Sequence, residues 1–175
     1  DLGNEIGSAE FMNGELDKAH CTSFRFSKSE TEVTGEEDEA QTITTGYEKE
    51  INPSSYTEEV DPANFYDQFN DSVLSETITK TVTDAEGNNL SQTTSYLRGK
   101  NKTETVTTYE NDDFGRTVKE NTIQKKYQDG RWLPSYETEV SYTYDENGNV
   151  TETETKSRKE GETDWQIQKT KAVYD

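Results

Sequence analysis

Apolar and polar positions alternate along much of this chain, and the alternation has the two-residue period of strands. Thr22-Ser23-Phe24-Arg25-Phe26-Ser27-Lys28 sets Phe24 and Phe26 between polar neighbours. Thr138-Glu139-Val140-Ser141-Tyr142-Thr143-Tyr144 does the same with Val140, Tyr142 and Tyr144. Side chains two apart share one face of a strand, so both stretches predict extended structure. Further extended segments are expected at 42–45 and 47–51, with a bulge at Gly46 between them, before Asn52-Pro53-Ser54 breaks the run. One stretch alone has a helical period. Behind Asp61 as N-cap and Pro62 at the first helical position, Phe65, Phe69 and Val73 fall at i, i+4 and i+8. This predicts a short helix near residues 62–73, covering the open end of a sheet.

Beyond residue 75, strand-like runs rich in Thr, Val and Tyr alternate with two interleaved classes of turn. One class is acidic: Asp84 to Asn88, Asn111 to Gly115 and Asp145 to Asn149. The other lies around Gly99, Gly130 and Gly161. Within each class the glycines recur roughly every 30 residues, a spacing typical of supersecondary repeats. Two strands and two turns per period make an antiparallel meander. An Asp that caps its own turn, followed by a Gly able to take positive φ, predicts a type I turn closing on a G1 bulge.

Composition sharpens this picture. Only 27% of the 175 residues are hydrophobic, too few for a thick two-layer core. The apolar residues present include ten Tyr, six Phe and two Trp, which with Thr and Val favour ordered, thin sheets over disorder. The 37 carboxylates against 18 Lys and Arg repel phosphate backbones and anionic bilayers, which argues against nucleic-acid binding. No run approaches the ~20 apolar residues of a membrane span, so no membrane insertion is expected. A single cysteine, Cys21, excludes an internal disulfide framework and disfavours a small eukaryotic secreted domain.

Catalytic chemistry finds little support. Cys21 stands next to His20, the only histidine, and neighbours on a strand point to opposite faces. Glu152 and Glu154 are one of many carboxylate pairs in so acidic a chain, and a general acid needs burial. The acidic turns gather oxygen ligands of the kind Ca²⁺ prefers, yet none has the full EF-hand spacing. The expectation is therefore a non-enzyme without a resident cofactor, Ca²⁺ at the acidic turns being the one candidate. Tyr109, Trp132, Tyr142, Tyr144, Trp165 and Tyr174 form the candidate binding face, either an exposed aromatic ladder for a sugar or protein partner or the core of the sheet.

The string Tyr142-Thr-Tyr-Asp-Glu-Asn-Gly-Asn-Val150, with Trp132 upstream and Trp165 downstream, resembles the Tyr-Asp (YD) repeats of bacterial secreted and cell-surface proteins. It looks closest to the Trp-containing version in secreted proteins of Bacteroidetes. The resemblance covers about residues 79–175 and is strong over 132–175; the turns at Asp84 and Asp112 lack the Asn-Gly-Asn string. It implies extracellular β-hairpin arrays of adhesive or unknown role and supplies no catalytic residues.

These observations predict an all-β fold, an elongated antiparallel β-hairpin repeat array with one short helix near residues 62–73. Residues 1–21 read as linker, and Gly7 to Met12 as a possible tag remnant. Residues 22–78 read as a β-rich region with the capping helix, and 79–175 as the hairpin repeats. The expected role is binding, adhesion or spacing at a bacterial surface or in secreted form, with a protein or glycan partner. The alternative is a periplasmic or outer-membrane-tethered lipoprotein domain holding a ligand or glycan in a pocket near Phe24, Phe26 and Phe65.

Overall fold

The computed structural model describes residues 24–36, 39–52 and 73–174. Runs dense in Thr, Val, Ile and Tyr become nine strands, as their β-branched and aromatic side chains favour. They are β1 (Phe24–Thr34), β2 (Gln41–Ile51), β3 (Val73–Thr83), β4 (Asn89–Arg98), β5 (Asn101–Asn111), β6 (Thr117–Gln128), β7 (Arg131–Tyr144), β8 (Val150–Lys159) and β9 (Gln166–Lys171). Their order in the sheet is their order in the chain, and every pairing is antiparallel. The all-β hairpin meander expected from the sequence is thus the observed fold. The described residues contain no α-helix. The helix expected near 62–73 lies outside them except for Val73, which opens β3. The stretch 1–21, with His20 and Cys21, lies outside as well. The expected boundary between residues 78 and 79 falls within β3, which pairs along its length with both β2 and β4.

Two kinds of turn hold the meander in register. Gly87, Gly115 and Gly148 each donate a backbone N–H to the carbonyl of the Asp three residues earlier, at 3.2, 2.9 and 3.1 Å. All three glycines have positive φ, between 75° and 89°. The pattern is the one expected of a type I turn closing on a left-handed glycine. A register shift follows each turn at the same place, leaving Leu90, Val118 and Thr151 without a partner across the turn's own hairpin. At the opposite end of the strands the loops are tighter. Gly99 alone has positive φ (58°) in the two-residue loop between Arg98 and Asn101, whereas Asp129 (52°) and Gly130 (80°) both do between Gln128 and Arg131. These match the II′ and I′ loops, whose twist suits hairpin strands. The bulge expected at Gly46 is absent. Gly46 pairs regularly with Ser29 and Thr79, and a side chain there would only touch the Thr79 carbonyl, 3.9 Å away.

Burial is scarce, as the composition requires. Among the described residues only Phe26, Lys49 and Ile51 are buried. Phe26 pairs with Lys49 across β1 and β2, so these three sit together at one end of the first hairpin. Elsewhere the described strands form a single layer, and among the described residues each makes substantial contacts only with its sequence neighbours.

Candidate binding faces

Following the pairing from strand to strand separates the residues of the two faces, because directly paired residues point the same way. One face carries a row that begins Thr31–Thr44–Thr81 on the first three strands. It continues through Gln92, Thr107, Thr122 and Thr138. Ser157 and Gln166 finish it on β8 and β9. Hydroxyls of adjacent threonines meet within and beside this row: Thr31 with Thr44 at 3.4 Å, Thr107 with Thr122 at 2.9 Å, and Thr79 with Thr94 at 3.5 Å. We call this the threonine face.

The other face holds most of the ion pairs. Lys119 reaches Glu139 at 2.9 Å, Glu139 reaches Lys156 at 3.1 Å, and Lys156 reaches Glu154 at 3.1 Å. Glu154 passes the chain on to Lys169, so one zigzag of alternating charge crosses β6 to β9. Glu104 with Lys125 (2.9 Å) and Glu152 with Lys171 (3.0 Å) flank it. Hydrogen bonds from Lys119 and Lys156 hold Glu139 below the usual carboxylate range, and Lys169 and Lys156 do the same for Glu154. Such exposed pairs are individually weak, and a network is where they count.

The six aromatic candidates are divided between these faces. Tyr109, Tyr142 and Tyr144 lie on the threonine face. Tyr142 donates its hydroxyl to Glu120 at 3.1 Å. Partial burial first, then the Glu120 charge, raises the Tyr142 phenol above its ordinary value, and the same two causes raise Tyr109. Tyr144 donates to the Thr117 carbonyl at 2.7 Å, and its ring lies under the Arg116 guanidinium at 4.6 Å. Trp132 and Trp165 lie on the ion-pair face. Trp132 meets Tyr127 edge-on at 5.4 Å, and the Lys102 ammonium sits over both rings at 5.4 and 5.7 Å. The Arg158 guanidinium covers Trp165 at 4.5 Å and is held from behind by Glu137, 2.6 Å from its Nε. Tyr174, the most exposed of the six at 53%, donates to the Val150 carbonyl at 3.0 Å. None of the six is buried, and they do not form one ladder.

Sequence spacing missed a relation between turns. Tyr144 bonds the carbonyl of Thr117, Tyr174 that of Val150, and the Asn111 amide that of Asn89 at 2.9 Å. The acceptors stand at one position after the three acidic turns, and Asn111 and Tyr144 each stand just before the next. Asn111 therefore occupies the place of Tyr144, and Tyr109 that of Tyr142. The signal was the count back from each Asp, which the conspicuous tyrosines obscured.

The acidic turns use their own oxygens. Asp145 Oδ1 accepts from the Asn147 and Asn149 backbone N–H groups at 2.9 and 2.8 Å, and Oδ2 from the Asn149 amide at 3.0 Å. Asp84 and Asp112 are bonded in the same manner by Asn88 and Arg116. Asn149, in the sequon Asn149-Val-Thr151, is thus engaged within its turn. No group of three or more His, Cys, Asp or Glu is placed to hold a metal among the described residues. Concavities there are open surface dents, such as one of about 350 Å³ lined by Pro134, Tyr136, Arg158 and Glu162. Of the pocket expected near Phe24, Phe26 and Phe65, Phe26 is itself buried and Phe65 lies outside the described residues. No helix among the described residues is long and apolar enough to cross a membrane. No family model, curated protein or solved structure matches the chain.

Proposed function

We propose that this chain is a non-catalytic module of a secreted or cell-surface bacterial protein, built from Tyr-Asp-type hairpin repeats and acting in binding or adhesion. One observation carries the reading: among the described residues the nine strands form one sheet, and beyond the first hairpin none of their residues is buried on either face, which leaves broad surface for a partner. A catalytic centre needs a water-excluding cleft with convergent groups, and a single layer offers a broad surface instead. The repeat component is supported by the like-placed hydrogen bonds of Asn111, Tyr144 and Tyr174 and by the like-placed register shifts after the acidic turns. The partly exposed Tyr and Trp side chains supply contact area at low entropic cost.

Surface display is tested by labelling intact source cells with antibody against the chain and shaving them with protease; label seen only after permeabilisation rejects it. Binding is tested on a glycan array and on immobilised matrix proteins with two variants, Trp132→Ala/Trp165→Ala and Tyr109→Ala/Tyr142→Ala. One pair is expected to lose binding while the other retains it, since the pairs sit on different faces.

A further inference from the structure

The strongest feature outside the paired charges is a neutral strip on a highly charged protein. The sequence carries 37 Asp and Glu against 18 Lys and Arg, yet the row from Thr31 to Gln166 has no charge in it. On one side the neighbouring row runs through Thr79, Thr94, Thr105, Gln124 and Tyr136, and its one charge is Lys159 at the end. On the other side Glu120 is the one charge in the row joining Tyr109, Val140, Thr155 and Gln168, and it already accepts from Tyr142. Nine strands at the usual spacing make this strip on the order of 40 Å long.

We propose that the threonine face is the docking surface for a neutral polysaccharide chain lying across the strands. The proposal rests on the reading of the chain as a binding module and names its face and partner class. An anionic polymer is repelled by the protein's net charge of −19, and a cationic one finds no counter-charge in the strip. A neutral sugar polymer needs what the strip has: hydroxyl and amide groups for its hydroxyls, and methyl groups and phenol rings for the C–H faces of its rings. The Thr107–Thr122 hydrogen bond uses one of the two hydroxyl protons and leaves the other for a ligand. Tyr136 on one flank and Tyr109 on the other border the row, with Tyr142 one row further out beyond Val140. The long amides of Gln92 and Gln166 break the uniformity of hydroxyl spacing that an ice lattice would require, and they suit a flexible sugar chain.

The test is native affinity electrophoresis with a soluble, neutral β-glucan in the gel and polygalacturonate in a parallel gel. The expected result is retardation by the glucan, none by polygalacturonate, and at least tenfold weaker retardation of a Thr81→Val/Thr107→Val/Thr122→Val/Thr138→Val variant. Valine keeps the β-branched shape and exchanges the hydroxyl for a methyl group. Lys169→Gln, on the opposite face, is expected to be retarded by the glucan as strongly as the wild type, each measured against its own mobility in a glucan-free gel. No retardation of the wild type, equal retardation of the valine variant, retardation by polygalacturonate alone, or thermal hysteresis in freezing solution without glucan binding each overturns the proposal. Should the valine variant fail to fold, methyl NMR of the wild type with cellohexaose decides. Shifts at the Thr107 and Thr122 methyls support the proposal, and shifts confined to Val106 and Ile123 on the other face overturn it. Retention on immobilised matrix proteins without glucan retardation overturns this assignment and leaves the binding-module reading standing.

Discussion

Trp132 and Tyr142 belong to the same strand, stand an even number of residues apart, and point to opposite faces of the sheet. The cause is the register shift between Gln124 and Lys125, where Ser135 is the extra residue on β7 and bonds the Gln124 carbonyl at 3.1 Å. One inserted residue reverses every side chain beyond it. Trp132 thereby reaches Tyr127 and Lys102, away from Glu120 and the other tyrosines.

Because Lys102 caps both Trp132 and Tyr127, its removal is expected to be felt by both rings. Lys102→Ala is expected to lower stability by about 0.5–1 kcal/mol, the range for an exposed cation–π contact. Urea denaturation followed by tryptophan fluorescence measures it. An unchanged midpoint together with an unchanged Trp132 emission would reject the contact.

The like-placed carbonyl bonds lend themselves to a comparison. Tyr144→Phe removes a part-buried 2.7 Å bond to Thr117 and is expected to cost about 1 kcal/mol. Tyr174→Phe removes a 3.0 Å bond at an exposed position and is expected to cost less. Equal losses in the two denaturation curves would show that the bonds do not distinguish an inner hairpin from an outer one.

Gly115 and Gly148 have similar backbone angles but different surroundings. A side chain at Gly148 would meet only Arg116, at 3.8 Å, so Gly148→Ala carries the left-handed penalty of roughly 1–2 kcal/mol. At Gly115 the added methyl would come within 2.5 Å of Asn88 Oδ1, and Asn88 is tied to Asp84 at 2.9 Å. Gly115→Ala is therefore expected to be the worse of the two, and in an Asn88→Ala background the difference should disappear. Persistence of the gap in that background would locate the strain elsewhere.

Asp84, Asp112 and Asp145 are all held below the ordinary carboxylate range, chiefly by the side chains of Asn88, Arg116 and Asn149. A carboxyl depressed in the folded state contributes its stability fully above its unfolded value, about 3.9, and loses it as pH falls through the folded value. Glu139 and Glu154 shift in the same direction. The melting temperature is expected to hold or rise from pH 7 to about 5, as the excess negative charge shrinks, and to fall below about 4. Circular dichroism melts across this range test it, with Asp84→Asn/Asp112→Asn/Asp145→Asn expected to shallow the acid limb. An acid limb of undiminished steepness in that variant would place the titrating groups elsewhere.

The strands and corners were legible because each is encoded locally. Val140, Tyr142 and Tyr144 alternate with polar residues, and Asp145 and Gly148 carry the capping oxygen and the positive φ that their turn demands. The distribution of residues between faces was not legible, since it depends on register. A reader of Thr22 to Lys28 can see that Phe24 and Phe26 share a face, but not that Lys49 lies across from Phe26. Bulges add to the difficulty: Ser135 flips the sense of β7 without a Gly or Pro to mark it, while Gly46, which looks like a bulge, sits in an unbroken ladder. The threonine row was hidden for the same reason, as threonine is simply what a wet strand prefers and only pairing lines it up.

Since each described strand leans chiefly on its immediate neighbours, and burial is confined to the first hairpin, little interior has to be rebuilt when the far end of the sheet changes length. A hairpin added or removed at the β9 end would therefore disturb few contacts in the remainder. The same locality makes unravelling begin at an outer strand and proceed inward, so that pulling on the molecule should release it a few strands at a time.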